Sequence, residues 1–164
     1  MLYAHWEGFI KQAATSYLRF IKGQKLKLNE ASTNIVALSL KQKINDFIGT
    51  NKPSLHIKFI KHLRSCDADR VMFTENDVIR TESNLSSKVL EEILYALAIP
   101  DGDYALKSNM IDNQLLYYRN NIAHGNYIAL NVNEYDSLHN GILDLLNQFT
   151  TDISNAAVQE KFKR

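Results

Sequence analysis

Residues 2–22 read LYAHWEGFIKQAATSYLRFIK, and apolar side chains recur in this stretch every three or four residues. They are Leu2, Trp6, Phe9, Ile10, Ala13, Tyr17, Phe20 and Ile21. This spacing places them on one face of an α-helix, whereas a half-buried strand alternates every second residue. The stretch therefore predicts a long amphipathic helix that ends near Gly23, with its aromatic side chains in a core or a dimer contact.

The same periodicity continues along the chain. It predicts further helices at 34–47, at 54–63, from Ser86 or Ser87 to Ile99, at 108–123, and from about Asn133 to Val158. Gly49, Gly125 and the Pro100–Gly102 turn supply stop signals, and Asn133 offers a cap. Residues 65–84 are less regular, and we favour a loop over a small hairpin for the short apolar runs 71–73 and 78–79. Five or six helices with short connections predict an all-α bundle.

Length and composition fit this class. A chain of 164 residues buries a sizeable core, and 6 Gly with 2 Pro are too few for a turn-rich β-barrel. We expect one domain over residues 1–164, with residues 159–164 forming a basic, frayed end. The single cysteine, Cys66, suits a reducing cytosol, and no signal peptide or membrane span is evident. The sequence therefore predicts a cytoplasmic protein without membrane contact.

The net charge of +1 is a cancellation between unlike regions. Residues 1–64 hold 11 Lys/Arg against 3 Asp/Glu (+8), residues 65–160 hold 5 against 15 (−10), and the last four hold three basic residues (+3). The basic half favours a phosphate-attracting surface, and scattered solvated side chains are the alternative. The residues concerned are Lys22, Lys25, Lys27, Lys41, Lys43, Lys58, Lys61 and Arg64.

Polar groups gather at the end of the helix predicted at 108–123. Arg119 and His124 lie five residues apart, which is about 140° around an ideal helix, so they share a face only if the helix ends or distorts between them. Gly125 makes an end at His124 plausible. Asn120 and His124 are four apart and can touch.

This pair suits chemistry at a phosphodiester. Arg presents a permanently charged fork to phosphate oxygens, and His exchanges protons near neutral pH. Together they fit transesterification of RNA, with the His moving the proton and the Arg stabilising the phosphorane-like transition state without a metal. The alternative is an Arg in a surface salt bridge and a His favoured by the helix dipole. No zinc-binding or P-loop motif is present, so neither a metal nor a cofactor is expected.

Arg119-Asn120-Asn121-Ile122-Ala123-His124 resembles the R-x-x-x-x-H motif of the HEPN superfamily. The opening stretch from Tyr3 to Phe9 is similar to the first helix of MAE-type HEPN-like nucleases, as is Thr81–Leu85 leading into a helix. The resemblance implies an all-α metal-independent endoribonuclease, often of toxin–antitoxin or phage-defence systems. It implies a homodimer with both Arg–His sets facing one cleft, an RNA substrate, and a cognate antitoxin or neighbouring defence protein as partner.

The resemblance assigns Arg119 and His124 as catalytic and Asn120 as supporting their chemistry. We add Glu7, Asn121 and Tyr118 as supporting candidates. Glu7 lies in the first helix, where it can orient Arg119 or His124 or simply face solvent, and Tyr118 can stack on a base or pack in the core. The alternative function is a non-catalytic HEPN interaction or nucleotide-binding module that acts through a partner protein.

Overall fold

In a computed structural model, which describes residues 1–73, 79, 81 and 84–164, the stretch quoted first forms helix α1, Leu2–Gly23. Trp6, Ile10 and Ile21 on its apolar face are fully buried. The main neighbour of α1 is the last helix, α6, Val132–Val158. The buried side chains of α6 are Leu138, Ile142, Leu145, Phe149 and Ala156. The core therefore forms between the first and last helices of the chain.

Four helices lie between α1 and α6. They are α2 (Thr33–Ile48), α3 (Pro53–Leu63), α4 (Ser87–Ala96) and α5, which consists of the consecutive stretches Ser108–Met110, Ile111–Leu116 and Tyr117–Ala123. Short 3₁₀ turns cover Leu28–Glu30, Cys66–Ala68 and Gly102–Lys107. The described residues contain no β-strand, and none of their helices combines the length and hydropathy of a membrane crossing. The predicted all-α class with five or six helices is confirmed.

Two helix ends differ from the predictions. Asn131, and not Asn133, caps α6: its Oδ1 accepts from the Glu134 amide at 2.9 Å, while Glu134 Oε2 accepts from the Asn131 amide at 3.3 Å. This reciprocal pair is a capping box. Helix α4 ends at Ala96 rather than Ile99, with Ala98 left-handed at φ +57°. The amides of Ala98 and Ile99 close the helix by donating to the carbonyls of Tyr95 and Leu94, and Pro100 disfavours helical geometry at Ile99.

The segment predicted as a loop is irregular where it is described. After the turn Cys66–Ala68, the chain runs beside the end of α1: the Val71 amide donates to the Leu26 carbonyl and the Leu28 amide to the Asp69 carbonyl, both at 2.9 Å. Residues 74–78, 80, 82 and 83 lie outside the described residues, so the prediction for the run 78–79 is tested only at Ile79, which is buried.

The predicted fraying of residues 159–164 is wrong. Phe162 is 1% exposed and meets the rings of Tyr17 and Phe20 edge-on, with centroids 6.4 and 5.8 Å away. Its carbonyl accepts from the Ser32 amide at 2.8 Å, and the Arg164 amide donates to the Glu30 carbonyl at 3.0 Å. Burial of a phenylalanine side chain contributes roughly 2–3 kcal/mol. Together with these backbone hydrogen bonds, the buried Phe162 ring holds the C-terminal residues in place although their neighbours are basic.

Candidate active site at the end of helix α5

A Schellman motif ends α5 and fixes the position of His124. The amide of Asn126 donates to the Asn121 carbonyl at 2.9 Å, and that of Gly125 to the Ile122 carbonyl at 3.1 Å. Gly125 is left-handed, with φ +73°, a conformation that costs other residues roughly 1–2 kcal/mol. His124 is therefore the C-cap of the helix and is exposed, as its place before a glycine predicts.

Arg119 is held on two sides. Its Nη1 donates to Asn120 Oδ1 at 2.8 Å, and its Cζ lies 5.2 Å from the centre of the Tyr3 ring in a cation–π contact. The guanidinium is partly buried, so both contacts restrict a side chain that would sweep a wide volume in solvent. This arrangement orients the guanidinium, whose other N–H groups make no hydrogen bond within residues 1–73, 79, 81 and 84–164.

Tyr3 connects Arg119 to a small polar network. Its hydroxyl accepts from the Leu85 amide at 2.8 Å and interacts with the carboxylate of Glu7, whose Oε1 accepts from the Thr81 hydroxyl at 2.5 Å. Burial raises the pKa of Tyr3, and Glu7 raises it further, while the Leu85 amide and Arg119 act in the opposite direction. The hydrogen bond from the Leu85 amide fixes the Tyr3 hydroxyl, while the ring lies under the guanidinium of Arg119.

Glu7 and Arg119 each interact with Tyr3. Among the described residues no ion pair joins Glu7 to Arg119 or to His124; Tyr3 stands between the carboxylate and the guanidinium. The sequence analysis did not identify Tyr3 as a site residue. A signal was present, because Tyr3 and Glu7 are one helical turn apart and share a face of α1.

Asn120 is the link between Arg119 and His124. Its side chain accepts from Arg119, and its backbone carbonyl accepts from the His124 amide at 3.0 Å. In the described part of the chain, no hydrogen bond joins the Arg119 and His124 side chains directly. The helix stays regular from Tyr117 to Ala123, so the angular separation expected from the spacing is retained up to its end.

The other two supporting candidates stabilise the local structure. Asn121 Nδ2 donates to the Tyr117 carbonyl at 2.9 Å and its Oδ1 accepts from Asn126 Nδ2 at 3.0 Å, so its amide holds the helix end to the next residues. Tyr118 packs against the core, and its ring meets that of Tyr117 edge-on at 5.6 Å. Tyr117, at 53% exposed, is the better placed of the two to stack on a base.

The helix that carries the motif contains a π-helical stretch, Ile111–Leu116, which the sequence did not predict. Its Asp112 accepts from the amide and hydroxyl of Ser87, at 2.8 and 2.5 Å, and so binds the first residue of α4. Ile111, Leu115 and Leu116 turn into the core together. Such stretches recur at functional sites because they change the direction of the residues that follow.

No three His, Cys, Asp or Glu side chains form a metal-ligand group within the part of the chain that the structure describes. The residues around Arg119 are instead a phenol, an amide and a carboxylate, and the exposed imidazole of His124 lies at the end of the same helix. This set can hold an anion and move protons.

Comparison with known proteins gives a family match over nearly the whole chain. A family model described as HEPN_MAE_28990/-like HEPN matches residues 1–162. Neither the curated proteins nor the solved structures gave a match. The matched range includes α1 with Tyr3 and Glu7 as well as the end of α5.

Proposed function

The chain belongs to the MAE_28990-like HEPN family, and on that premise we propose that it is a metal-independent endoribonuclease whose catalytic residues are Arg119 and His124. HEPN domains are often RNases. The observation that carries the proposal is the guanidinium of Arg119, oriented by Asn120 and Tyr3 on the helix whose C-cap is the exposed His124. A fixed cation can stabilise the charge that develops on the phosphoryl oxygens, and an imidazole can transfer the proton in phosphodiester transesterification.

The proposed reaction uses the ribose 2′-hydroxyl as nucleophile. One His124 takes its proton while the 2′-oxygen bonds to phosphorus, and the bond from phosphorus to the 5′-oxygen breaks. The leaving oxygen receives a proton from a second His124 or from water, giving a 2′,3′-cyclic phosphate and a 5′-hydroxyl. Arg119 stabilises the negative charge on the phosphoryl oxygens, and Asn120 keeps its fork oriented.

A homodimer would supply both imidazoles. HEPN domains often act as dimers on RNA. Large apolar side chains next to the site favour this arrangement: Ile122 is 67% exposed, Tyr127 94% and Val132 73%. A two-fold interface over this region would bury them and bring two copies of α5 end to end, so that Arg119 and His124 of both protomers face one cleft.

We assign the activity to the cytoplasm, in a toxin–antitoxin or phage-defence system. A cognate antitoxin or a neighbouring defence protein would then keep the nuclease inactive in growing cells. The free and buried Cys66 suits that reducing compartment.

Cleavage of labelled RNA in the presence of EDTA tests the proposal. We expect the wild-type protein to cut, and His124→Ala to cut at least about 100-fold more slowly. Arg119→Lys keeps the charge but loses the planar fork, so it should retain only part of the activity. His5→Ala is the matched control, since His5 is exposed and lies on the side of α1 opposite Tyr3 and Glu7.

Equal rates for wild type and His124→Ala would refute the assignment. Expression in cells separates the nuclease from a non-catalytic module: the wild-type chain should arrest growth and Arg119→Ala should not. Equal tolerance of both forms would favour an interaction or nucleotide-binding module that acts through a partner.

A further inference from the structure

Two adjoining cavities lie where α2 packs against α3. The first, of about 350 Å³, has Phe47 and Phe59 in its wall, and the second, of about 580 Å³, has Phe73. Lys43 and His62 line both, so the two cavities meet at this pair of side chains. Both volumes fall in the range of roughly 300–1,000 Å³ that is usual for ligand sites. None of their described lining residues belongs to α1 or α5, so these paired cavities are separate from the candidate active site.

One face of α2 contributes to both cavities. Ser39 and Leu40 line the second cavity, while Asp46 and Phe47 line the first. All four lie three or four residues from Lys43, which is the spacing of neighbours on one side of a helix. The paired cavities therefore follow each other along the same side of α2, with Lys43 between them.

The aromatic wall of the first cavity is held in place. The rings of Phe47 and Phe59 stack with their centroids 4.9 Å apart, and the His56 ring lies 4.7 Å from that of Phe47. His56 is fixed in turn, because its Nε2 bonds to the Thr50 carbonyl at 2.7 Å. Both phenylalanines are only partly buried, so they offer ring surface on which a planar base can stack.

The side chains shared by the two cavities suit a phosphate. Lys43 Nζ lies 2.6 Å from His62 Nε2, and since an ammonium group can only donate, the imidazole nitrogen accepts. No carboxylate pairs with either side chain within the part of the chain that the structure describes. The other N–H groups of Lys43 are thus left to donate to an anion at the junction of the cavities.

The remaining charges are mixed in each cavity. Lys58 and Asp46 line the first, and Arg70 and Asp69 line the second. A nucleotide matches this mixture, because its phosphate is anionic while its base edge and ribose carry N–H and O–H donors that a carboxylate accepts. An acidic peptide matches it less well, since its carboxylates would meet Asp46 and Asp69.

We propose that the paired cavities bind single-stranded RNA, with one phosphate at Lys43 and His62 and a nucleotide in each cavity. One base stacks on the Phe47–Phe59 wall, and the next packs against Phe73. Free phosphate would leave these aromatic walls unused. The inference rests on the proposed function in one respect, because it gives the RNA substrate of that nuclease a second contact outside the active site.

Fluorescence polarisation with a labelled 2′-O-methyl RNA octanucleotide tests the proposal. This probe lacks the 2′-hydroxyl nucleophile, so its binding is measurable whether or not the protein cuts RNA, and a failure here leaves the cleavage assay unaffected. We expect Lys43→Glu to weaken binding about tenfold or more and to reduce its salt dependence. Phe59→Leu keeps an apolar side chain but removes the ring, and should weaken binding about fivefold or more.

Each variant has a matched control. Lys61→Glu makes the same charge change on α3, but Lys61 is exposed and lines neither cavity, so it should weaken binding by less than about threefold. Tyr95→Leu removes a ring that is 73% exposed on α4, and it should bind like wild type. Uridine monophosphate and inorganic phosphate should compete only far above the concentration of octanucleotide that suffices. Circular dichroism should show that all variants fold.

Three results would overturn the proposal. If Lys61→Glu binds as weakly as Lys43→Glu, the attraction is a general effect of charge. If uridine monophosphate, inorganic phosphate or a poly-glutamate peptide competes as well as the octanucleotide does, the occupant is not an RNA strand. If Arg119→Ala abolishes binding and neither Lys43→Glu nor Phe59→Leu changes it, the probe occupies the candidate active site alone.

Discussion

Tyr3 shows how one side chain connects two distant parts of the sequence. Its ring contacts Arg119, 116 positions away, while its hydroxyl accepts from the Leu85 amide and has its pKa raised by Glu7. The phenol touches the guanidinium but not the reacting atoms, so Tyr3 is a positioning residue. Loss of the Tyr3 ring should therefore disturb the orientation of the Arg119 guanidinium and leave its positive charge in place.

We predict that Tyr3→Leu lowers the rate of RNA cleavage about five- to tenfold, because a cation–π contact contributes roughly 1 kcal/mol and a misplaced fork stabilises the transition state less well. Tyr3→Phe keeps the ring and should retain most of the rate. Single-turnover and steady-state kinetics measure the effect, which should fall on kcat more than on KM. Equal rates for Leu and Phe at this position would mean that the ring does not orient Arg119.

Tyr17 allows a prediction about pH. Burial raises the pKa of its phenol to about 12, and its hydroxyl has no hydrogen-bond partner among the described residues. The unfolded phenol ionises near pH 10, so the unfolded state loses protons first as the pH rises. The contribution of the buried Tyr17 phenol to the free energy of unfolding is therefore fully present below about pH 10. It is lost progressively toward pH 12, by up to about 1.4 kcal/mol per pH unit.

Tyr17→Phe should reduce this alkaline loss. It should also be neutral or slightly stabilising at pH 7, because it removes a buried and unpartnered hydroxyl. Urea denaturation at pH 7, 9 and 11 measures both effects. A large loss of stability at pH 7 would reveal a hydrogen bond to that hydroxyl. Burial also raises the pKa of Tyr3 and Tyr104, so part of the alkaline loss should persist.

The sequence revealed the residues with obvious chemistry, and missed those that act through tertiary contacts. Arg119, Asn120 and His124 are recognisable because they form a short motif before a glycine. Tyr3 is inconspicuous, since its contact with Arg119 depends on how α1 packs against α5. For the same reason the sequence could not decide whether Glu7 meets Arg119 directly or through Tyr3.

At the scale of elements, apolar periodicity identified the helices α1 to α6 of the described residues, whereas the ends of these helices depend on local hydrogen bonds. The start of α6 is an example, because Asn131 and Asn133 are equally suitable residue types. The choice between them is made by Glu134, which is three residues after Asn131 and completes a capping box. The π-helical stretch of α5 is harder still to predict. Its Asp112 accepts from the Ser87 amide, and Met110 just before it packs where Gly141 of α6 leaves room, so tertiary contacts surround this stretch.

We predict that Asn131→Ala destabilises the protein by about 1 kcal/mol, the usual effect of losing an N-cap side chain. Asn133→Ala should change stability by less than about 0.5 kcal/mol, since it replaces an exposed residue inside the first turn with a better helix former. Chemical denaturation of the two variants compares them directly. Equal losses would show that the reciprocal bonds between Asn131 and Glu134 contribute nothing.

Over the whole molecule, the distribution of charge follows from how the ends of the chain meet. The Arg164 amide bonds to Glu30 and residue 163 bridges Ala31, so the three C-terminal basic residues join the basic half of the sequence. Adding charges along the chain could not reveal this, because it depends on a contact across more than 130 residues. The predicted phosphate-attracting surface gains these residues as neighbours, and RNA affinity that falls with rising salt remains its prediction.

Phe162 makes that contact, which leads to a prediction for the entire fold. We expect Phe162→Ala to destabilise the protein by about 3 kcal/mol, because it empties a site between Tyr17 and Phe20 in the core. For a chain of this size that loss corresponds to about 6–12 °C in the melting temperature. Lys163→Ala is the matched control: its ammonium pairs with Glu160 at 2.7 Å on the surface, so its loss should cost less than about 1 kcal/mol. If Phe162→Ala and Lys163→Ala have the same melting temperature, the end of the chain is frayed, as its basic composition alone suggests.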